Sequence, residues 1–487
     1  MRRQFTIACL TIICLASVTA TLATGLRDQR GPLTTTAYEI SEKPLPPPLA
    51  LHPDNSHYLL FRGRPTVLIG STEHYGAVLN LDFAYVRYLD ELQAKGLNLT
   101  RTFSGVYCEA EQSFQIKHNT LAPARGRLIA PWARSATPGS ADGGAKFDLG
   151  RWDDAYFRRL KDFLSAASRR EIVVERVLFC PFYEDPLWNL SPMNARNNTR
   201  GLGTMPRTEV YTLQHPAMLA VHEALVAKIC AELKDFDNLY YEICNEPYFG
   251  GVTLPWQDRI AAAITAAEAQ FPHKHLIARN VANGRQKIEQ PNPAVSIFNF
   301  HYATPPDTVA MNYGLKRVIA DDETGFRGSD DFVYRYEGWE FTLAGGAIYD
   351  NLDYSFSVGH EDGSQQPDAP GGGGSALRRQ LAILKQFMDG FSFVRMKPDL
   401  AAVKDNAIPK ASIRALSEAG RQYAIYIRGD GVKKFAVNLP AGTYRMQWTD
   451  TQKGPLGTPE RFQHAGGVRT LVVPAYRADI GLAILAR

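Results

Sequence analysis

What this chain lacks first is charge of one sign. It carries 54 Lys and Arg against 50 Asp and Glu. Two of the basic residues, Arg2 and Arg3, head an N-terminal segment that reads as a secretion signal, and without them the balance is 52 to 50. So even a balance gives no electrostatic case for nucleic acid or an anionic membrane, and points to a partner that is neutral or only locally charged. Cysteine is also scarce, six in 487 residues, and Cys9 and Cys14 fall in the signal. Cys108, Cys180, Cys230 and Cys244 are spaced too widely for a zinc motif. In an oxidising compartment they fit either one disulfide, for example Cys108 to Cys180 across neighbouring strands, or buried free thiols. Beyond the N-terminal segment no apolar run is long enough to cross a bilayer, and no repeat at solenoid spacing is visible.

What is present is a secreted, globular composition. Residues 1–23 have a basic start, an apolar run over 5–18 and small residues through Ala23. That is the order of a signal peptide, with cleavage expected after Ala20 or Ala23. The run is short for a membrane anchor, so the mature protein is expected to be secreted or periplasmic, with no membrane attachment. Pro44, Pro46, Pro47 and Pro48 mark 24–52 as a Pro-rich arm. Over 53–398 short β-branched or aromatic runs alternate with helical patterns. Strands are expected at 67–71, 97–103, 172–180, 239–245, 276–281, 297–301, 317–321 and 347–352. Helices are expected between or after them, the first capped by Asp82 and stopped by Gly96. Eight such units in this length predict an α/β fold, a parallel (β/α)₈ barrel. From 399 to 487 short runs separated by Gly, Pro and Asp predict a small all-β sandwich domain.

A barrel of this kind exposes its reactive groups at the C-terminal ends of its strands. Strand four ends in Glu246 and strand seven in Glu323. Two carboxylates at one barrel mouth suit glycosidic cleavage, one protonated to release the leaving alcohol and the other ionised to attack the anomeric carbon. Repulsion between them pushes their pKa values apart and divides the roles. Glu184 and Asp185, at the end of strand three, are reserve carboxylates. Trp132 and Trp188, in long loops, are the favoured sugar-stacking candidates. Trp256 is a further one, and Trp339, in a helix pattern, reads as core.

Asn245-Glu246-Pro247, with Tyr241-Glu242 before it, resembles the acid/base motif of clan A glycoside hydrolases, especially the cellulase-like barrels related to family 5. Asp322-Glu323-Thr324-Gly325 resembles their nucleophile strand, Gly96-Leu97-Asn98-Leu99-Thr100-Arg101 their second strand, and His301-Tyr302 their sixth-strand aromatic pair. The four motifs occur in the right strand order across roughly 57–395. The resemblance implies that Glu246 is the acid/base and Glu323 the nucleophile of a retaining enzyme acting on an oligo- or polysaccharide, with neither metal nor organic cofactor. It also implies that Asn245 binds the sugar 2-hydroxyl, Arg101 keeps Glu323 ionised, Tyr302 orients Glu323 and His301 touches sugar hydroxyls. Two departures bear on the substrate. The tryptophan usual at the end of strand eight is missing, leaving Tyr349 as its substitute, and Glu73-His74-Tyr75 differs from the commonest cellulase pattern, with His74 a further substrate contact. The C-terminal segment resembles the small β-domain labelled collagen-binding in some barrels of this clan, where packing on the barrel is the expected role. The alternative function is a catalytically inactive carbohydrate-binding or matrix-interaction protein on the same scaffold.

Overall fold

A computed structural model describes residues 46–404 and 412–487. The signal peptide and most of the Pro-rich arm lie outside the described residues. The described residues belong to one compact unit.

Eight parallel strands form the barrel: β1 (Leu68–Ile69), β2 (Leu99–Phe103), β3 (Val173–Phe179), β4 (Leu239–Cys244), β5 (Ile277–Asn283), β6 (Ile297–His301), β7 (Val318–Glu323) and β8 (Ile348–Tyr349). Their order around the sheet is sequential, with β1 beside β8. Seven of the eight, all but β5, are buried at every position, as strands covered on both faces must be, and β5 is buried over its first four residues, Ile277 to Asn280. At the seam between β1 and β2, which share no strand ladder, Asn98 bridges the ring with its backbone N–H, 3.2 Å from the Ile69 carbonyl, and with its side chain. Asn98 Oδ1 accepts from Ile69 N at 2.9 Å, and Asn98 Nδ2 donates to the Val67 carbonyl at 2.9 Å.

Helices α1 (Tyr85–Lys95), α2 (Asp154–Ser168), α3 (Pro216–Leu233), α4 (Leu254–Ala267), α5 (Asp307–Asn312), α6 (Asp331–Leu343) and α7 (Ser375–Asp389) surround it. No helix joins β5 to β6. Asp153, Thr253 and Asp330 cap α2, α4 and α6 by accepting from backbone N–H groups of the first turn. Gly96 ends α1 in the left-handed conformation, as expected, but Asp82 does not cap it. The N-cap is Ala84, and the Asp82 carboxylate accepts from Arg127 at 2.7 Å instead.

The last residues of the expected arm are not a tether. Leu49 is fully buried, and Ala50–Leu51 pairs with Leu59–Phe61 and Arg64–Thr66 in a small sheet. The insertion after β2 holds a hairpin, Trp132–Pro138 against Ala145–Trp152.

The C-terminal segment forms two layers. One sheet runs Lys397–Pro398, β9 (Ser412–Glu418), β10 (Gln422–Arg428), β15 (Asp479–Ala486), β12 (Gly442–Asp450) and β13 (Gly454–His464); β11 (Lys434–Leu439) pairs with β14 (Gly467–Val472) in the other. Strand alternation lets β10 serve two cores. Tyr423, Ile425 and Ile427 fill the sandwich, while Ala424 and Tyr426 pack into the barrel's cluster. Tyr426 stacks on Trp339 of α6 with ring centroids 5.4 Å apart. Beside them Arg335 of α6 holds Asp479 of β15 at 2.8 Å and 3.1 Å. Gly481 lies against Trp339 so closely that a Cβ there would sit 2.9 Å from the indole.

Cys108, Cys180, Cys230 and Cys244 are all buried and unpaired, so the Cys108–Cys180 disulfide is not formed. Burial pushes the Cys108 thiol up to about 12, which makes it a small apolar group and not a nucleophile.

Candidate active site

The C-terminal mouth of the barrel holds a cavity of about 520 Å³. Glu246, just past β4, and Glu323, the last residue of β7, both line it. Each is nearly buried, 8% and 6% exposed. One carboxylate oxygen of each and a ring nitrogen of His301 lie within 4.8 Å of one another. Glu246 and Tyr302 take left-handed backbone angles, φ 35° and 54°. For non-glycine residues that costs about 1–3 kcal/mol each, and such strain gathers where side chains must be aimed.

The two carboxylates sit in unlike surroundings. Glu323 Oε2 accepts from Arg101 Nη1 and from the Tyr75 hydroxyl, both at 2.9 Å. Its Oε1 accepts from Tyr302 at 3.3 Å and lies 3.4 Å from His301 Nδ1. Burial alone would raise its carboxyl, but the charges and bonds of His301, Arg101 and Tyr75 hold it well below the usual carboxylate range. Glu246 has no arginine. Its oxygens accept from Tyr183 at 2.6 Å and Tyr248 at 3.2 Å, with His301 Nδ1 also at 3.2 Å.

His301 is wholly buried between the two acids, below the cavity and not on its wall. Burial opposes its charged form, yet the Glu323 charge and bonds to Glu246 and Glu323 raise its pKa well above the ordinary value. Arg101, also wholly buried, donates from Nη2 to Glu242 and to Asn245 Oδ1 at 2.8 Å. Its Nε lies 3.5 Å from Glu175 and 3.8 Å from Asp322. Asn245 lines the cavity and donates from Nδ2 to the Tyr183 hydroxyl at 2.9 Å.

Two side-chain sets could hold a cation by proximity among the described residues: Glu246 with His301 and Glu323, and Glu175 with Glu242 and Asp322. The second already surrounds the Arg101 guanidinium, and the first contains an imidazole that its neighbours keep protonated.

Of the residues expected at the site, Glu246, Glu323, Asn245, Tyr302 and His74 line the cavity, and Arg101 and His301 support its floor. Four aromatics expected to meet sugar, Trp132, Trp188, Trp256 and Tyr349, lie elsewhere. Trp132 is 1% exposed and stacks on Trp152 in the hairpin. Trp188 packs on Phe182 and donates to the Met205 carbonyl at 3.1 Å. Tyr349 is fully buried behind β8 and donates to the Tyr334 carbonyl at 2.7 Å. Trp256 and Trp339 are core. Glu184 and Asp185 are exposed, outside the cavity lining. The cavity's aromatic surface comes instead from Tyr107, Phe114, Tyr183, Phe249 and Phe326, none of which the sequence singled out. Tyr75 and Tyr183 were within reach of the strand-end rule, each standing just past a barrel strand.

No family model and no curated protein sequence matches the chain. Solved structures share its fold. A candidate glycoside hydrolase from Bacteroides vulgatus ATCC 8482 superposes with a TM-score of 0.66 at 14% identity, over 91% of this chain and 83% of that one. A second structure, called glycoside hydrolase, gives 0.63 at 14% identity over 91% and 98%. A family 5 glycoside hydrolase, also from Bacteroides vulgatus ATCC 8482, gives 0.60 at 14% identity over 90% and 93%. The likeness therefore extends through the barrel and the β-domain together.

Proposed function

We propose that this chain is a retaining glycoside hydrolase, with Glu323 as nucleophile and Glu246 as acid/base. The observation that carries this reading is a pair of carboxylates with oxygens within 4.8 Å at one barrel mouth, only one of them bonded to an arginine. Retaining glycosidases hold their pair about 5–5.5 Å apart and inverting ones about 6.5–9.5 Å, because inversion needs room for water. The fold shared with glycoside hydrolases is consistent with it.

In the first step Glu323 attacks the anomeric carbon while Glu246 delivers a proton to the departing glycosidic oxygen. In the second, the Glu246 carboxylate takes a proton from water, and the hydroxide attacks the glycosyl ester and frees Glu323. Arg101, Tyr75 and Tyr302 keep Glu323 ionised and aimed. Tyr183 and Tyr248 fix Glu246. Asn245, clamped between Arg101 and Tyr183, is placed for a hydroxyl next to the anomeric centre. The inactive-scaffold alternative receives no support from the site, since both acids are present and individually held.

A panel of aryl glycosides and plant and microbial polysaccharides identifies the sugar. On the substrate found, Glu323→Ala should abolish turnover, and azide should restore it with an inverted glycosyl azide as product. Glu246→Ala should cost about 10²–10⁴-fold on poor leaving groups and far less on dinitrophenyl glycosides, which need little protonation. Wild-type rates in both variants would end the assignment.

A further inference from the structure

A third carboxylate lines the cavity and takes no part in the chemistry above. Glu109, in the loop after β2, is 6% exposed. One of its oxygens accepts from the Tyr107 hydroxyl at 2.9 Å and the other from Asn119 Nδ2 at 2.5 Å. A carboxylate oxygen has two lone pairs, so each keeps accepting capacity. Asn119 cannot be turned round, because its Oδ1 accepts from Leu121 N at 2.8 Å. That same Oδ1 therefore accepts from His74 Nδ1, 3.0 Å away. Glu109 lies 4.0 Å from His74 Nδ1. On this wall Glu109 thus offers acceptors and asks its ligand for donors.

Its place in the cavity is on the side of Glu323. The His74 ring, whose Nδ1 is the atom 4.0 Å from Glu109, is 5.5 Å from the ring of Tyr75, whose hydroxyl donates to Glu323. In double displacement the glycone is the part that becomes bonded to the nucleophile, so a wall beside Glu323 faces the glycone. The charge around it is one-sided. Glu109, Glu246 and Glu323 line the cavity, and no Lys or Arg does among the described residues. Arg101, beneath the floor, is wholly buried and already bound to Glu323, Glu242 and Asn245.

Resting on the glycosidase reading, we propose that Glu109, held by Tyr107 and Asn119, is a specificity-determining residue that accepts hydroxyl hydrogens of a neutral glycone and bars glycones bearing a carboxylate. A site built to accept from hydroxyls rejects a ligand that brings an acceptor and a second negative charge in their place.

The test compares kcat/KM for the neutral hexoside that the panel identifies with that for its uronide, the same sugar and aglycone carrying a carboxylate at C6. Wild type should prefer the neutral substrate by at least about 100-fold. Glu109→Gln should lower kcat/KM on the neutral substrate by about tenfold or more, chiefly through KM, and should shrink the preference by at least about tenfold. Glu109→Asp, which keeps the charge and withdraws the oxygens, should weaken the neutral substrate similarly while keeping the bar against the uronide. A purely structural Glu109 would lower both substrates by one factor in the Gln variant, and that result, or equal wild-type rates on the two substrates, overturns the proposal. Should Glu109→Gln not fold, the Asp variant decides: unchanged KM on the neutral sugar, or a lost preference, is the overturning result. The glycosidase reading fails separately, through retained turnover in Glu323→Ala.

Discussion

Glu323 keeps a negative charge where burial alone would neutralise it, and the groups that make this so leave a thermodynamic trace. Its folded pKa lies below the unfolded value of 4.5. The unfolded chain therefore binds its proton first as the solution is acidified. The stability that Glu323 contributes is fully present above pH 4.5 and is lost as pH falls through the folded value. Urea unfolding of the wild type should consequently weaken more steeply between about pH 4.5 and 3 than that of Glu323→Gln, which has no such proton to gain. Parallel slopes would mean that Glu323 is not held ionised. At this scale the sequence was legible where chemistry and chain position coincide, as at Glu246 and Glu323, each at a strand end. It was not legible for Trp132, Trp188 and Tyr349. An aromatic in a long loop can face a cavity or fill the space beneath the loop, and composition does not separate the two. Glu109 was silent for the converse reason: its meaning comes from Asn119, Tyr107 and His74, which only the folded loops bring together.

At the scale of elements, the weakest place in the barrel is the meeting of β1 and β2, the one neighbouring pair of barrel strands with no ladder between them among the described residues. The Asn98 amide replaces part of the missing ladder by serving both a backbone N–H and a carbonyl of the β1 segment. Asn98→Ala leaves those two groups without their partner and should cost about 2 kcal/mol in denaturant unfolding. Asn98→Asp, which preserves the acceptor alone, should fall between. The position was visible within the second-strand motif, but its work was not, because a side chain standing in for a strand leaves no periodic signature. The same limit explains Asp82. Its place before an apolar run fits a helix cap, yet Arg127, forty-five residues on, holds its carboxylate. Strand ranges from the sequence ran one to four residues long at β1, β2, β3, β4 and β8, and at β1 and β8 the extra residues still exchange backbone bonds, Gly70 N with the Tyr349 carbonyl and Thr72 N with the Asn351 carbonyl.

Barrel and β-domain are held together by a polar contact buried under the aromatic stack of Trp339 and Tyr426. Asp479 accepts from Arg335 and from the Tyr426 hydroxyl, the latter at 3.0 Å, and the Arg335 side chain is only 2% exposed. Asp479→Ala strands a buried guanidinium and should cost about 3–5 kcal/mol. Barrel and β-domain should still melt in one calorimetric transition, because β10 belongs to both cores; two separated transitions would contradict the shared core. The partition into barrel and β-domain was legible from the change of texture near residue 400. Their fusion was not, for a strand that alternates between two hydrophobic environments reads simply as a hydrophobic strand.

The four sequestered thiols have a practical corollary. Among the described residues no disulfide clamps the fold, so reducing agents should leave it intact, and recombinant material can be prepared in a reducing cytosol. Oxidising refolding buffers would be the hazard: four cysteines admit three pairings of the unfolded chain, and every one of them is foreign to the native arrangement.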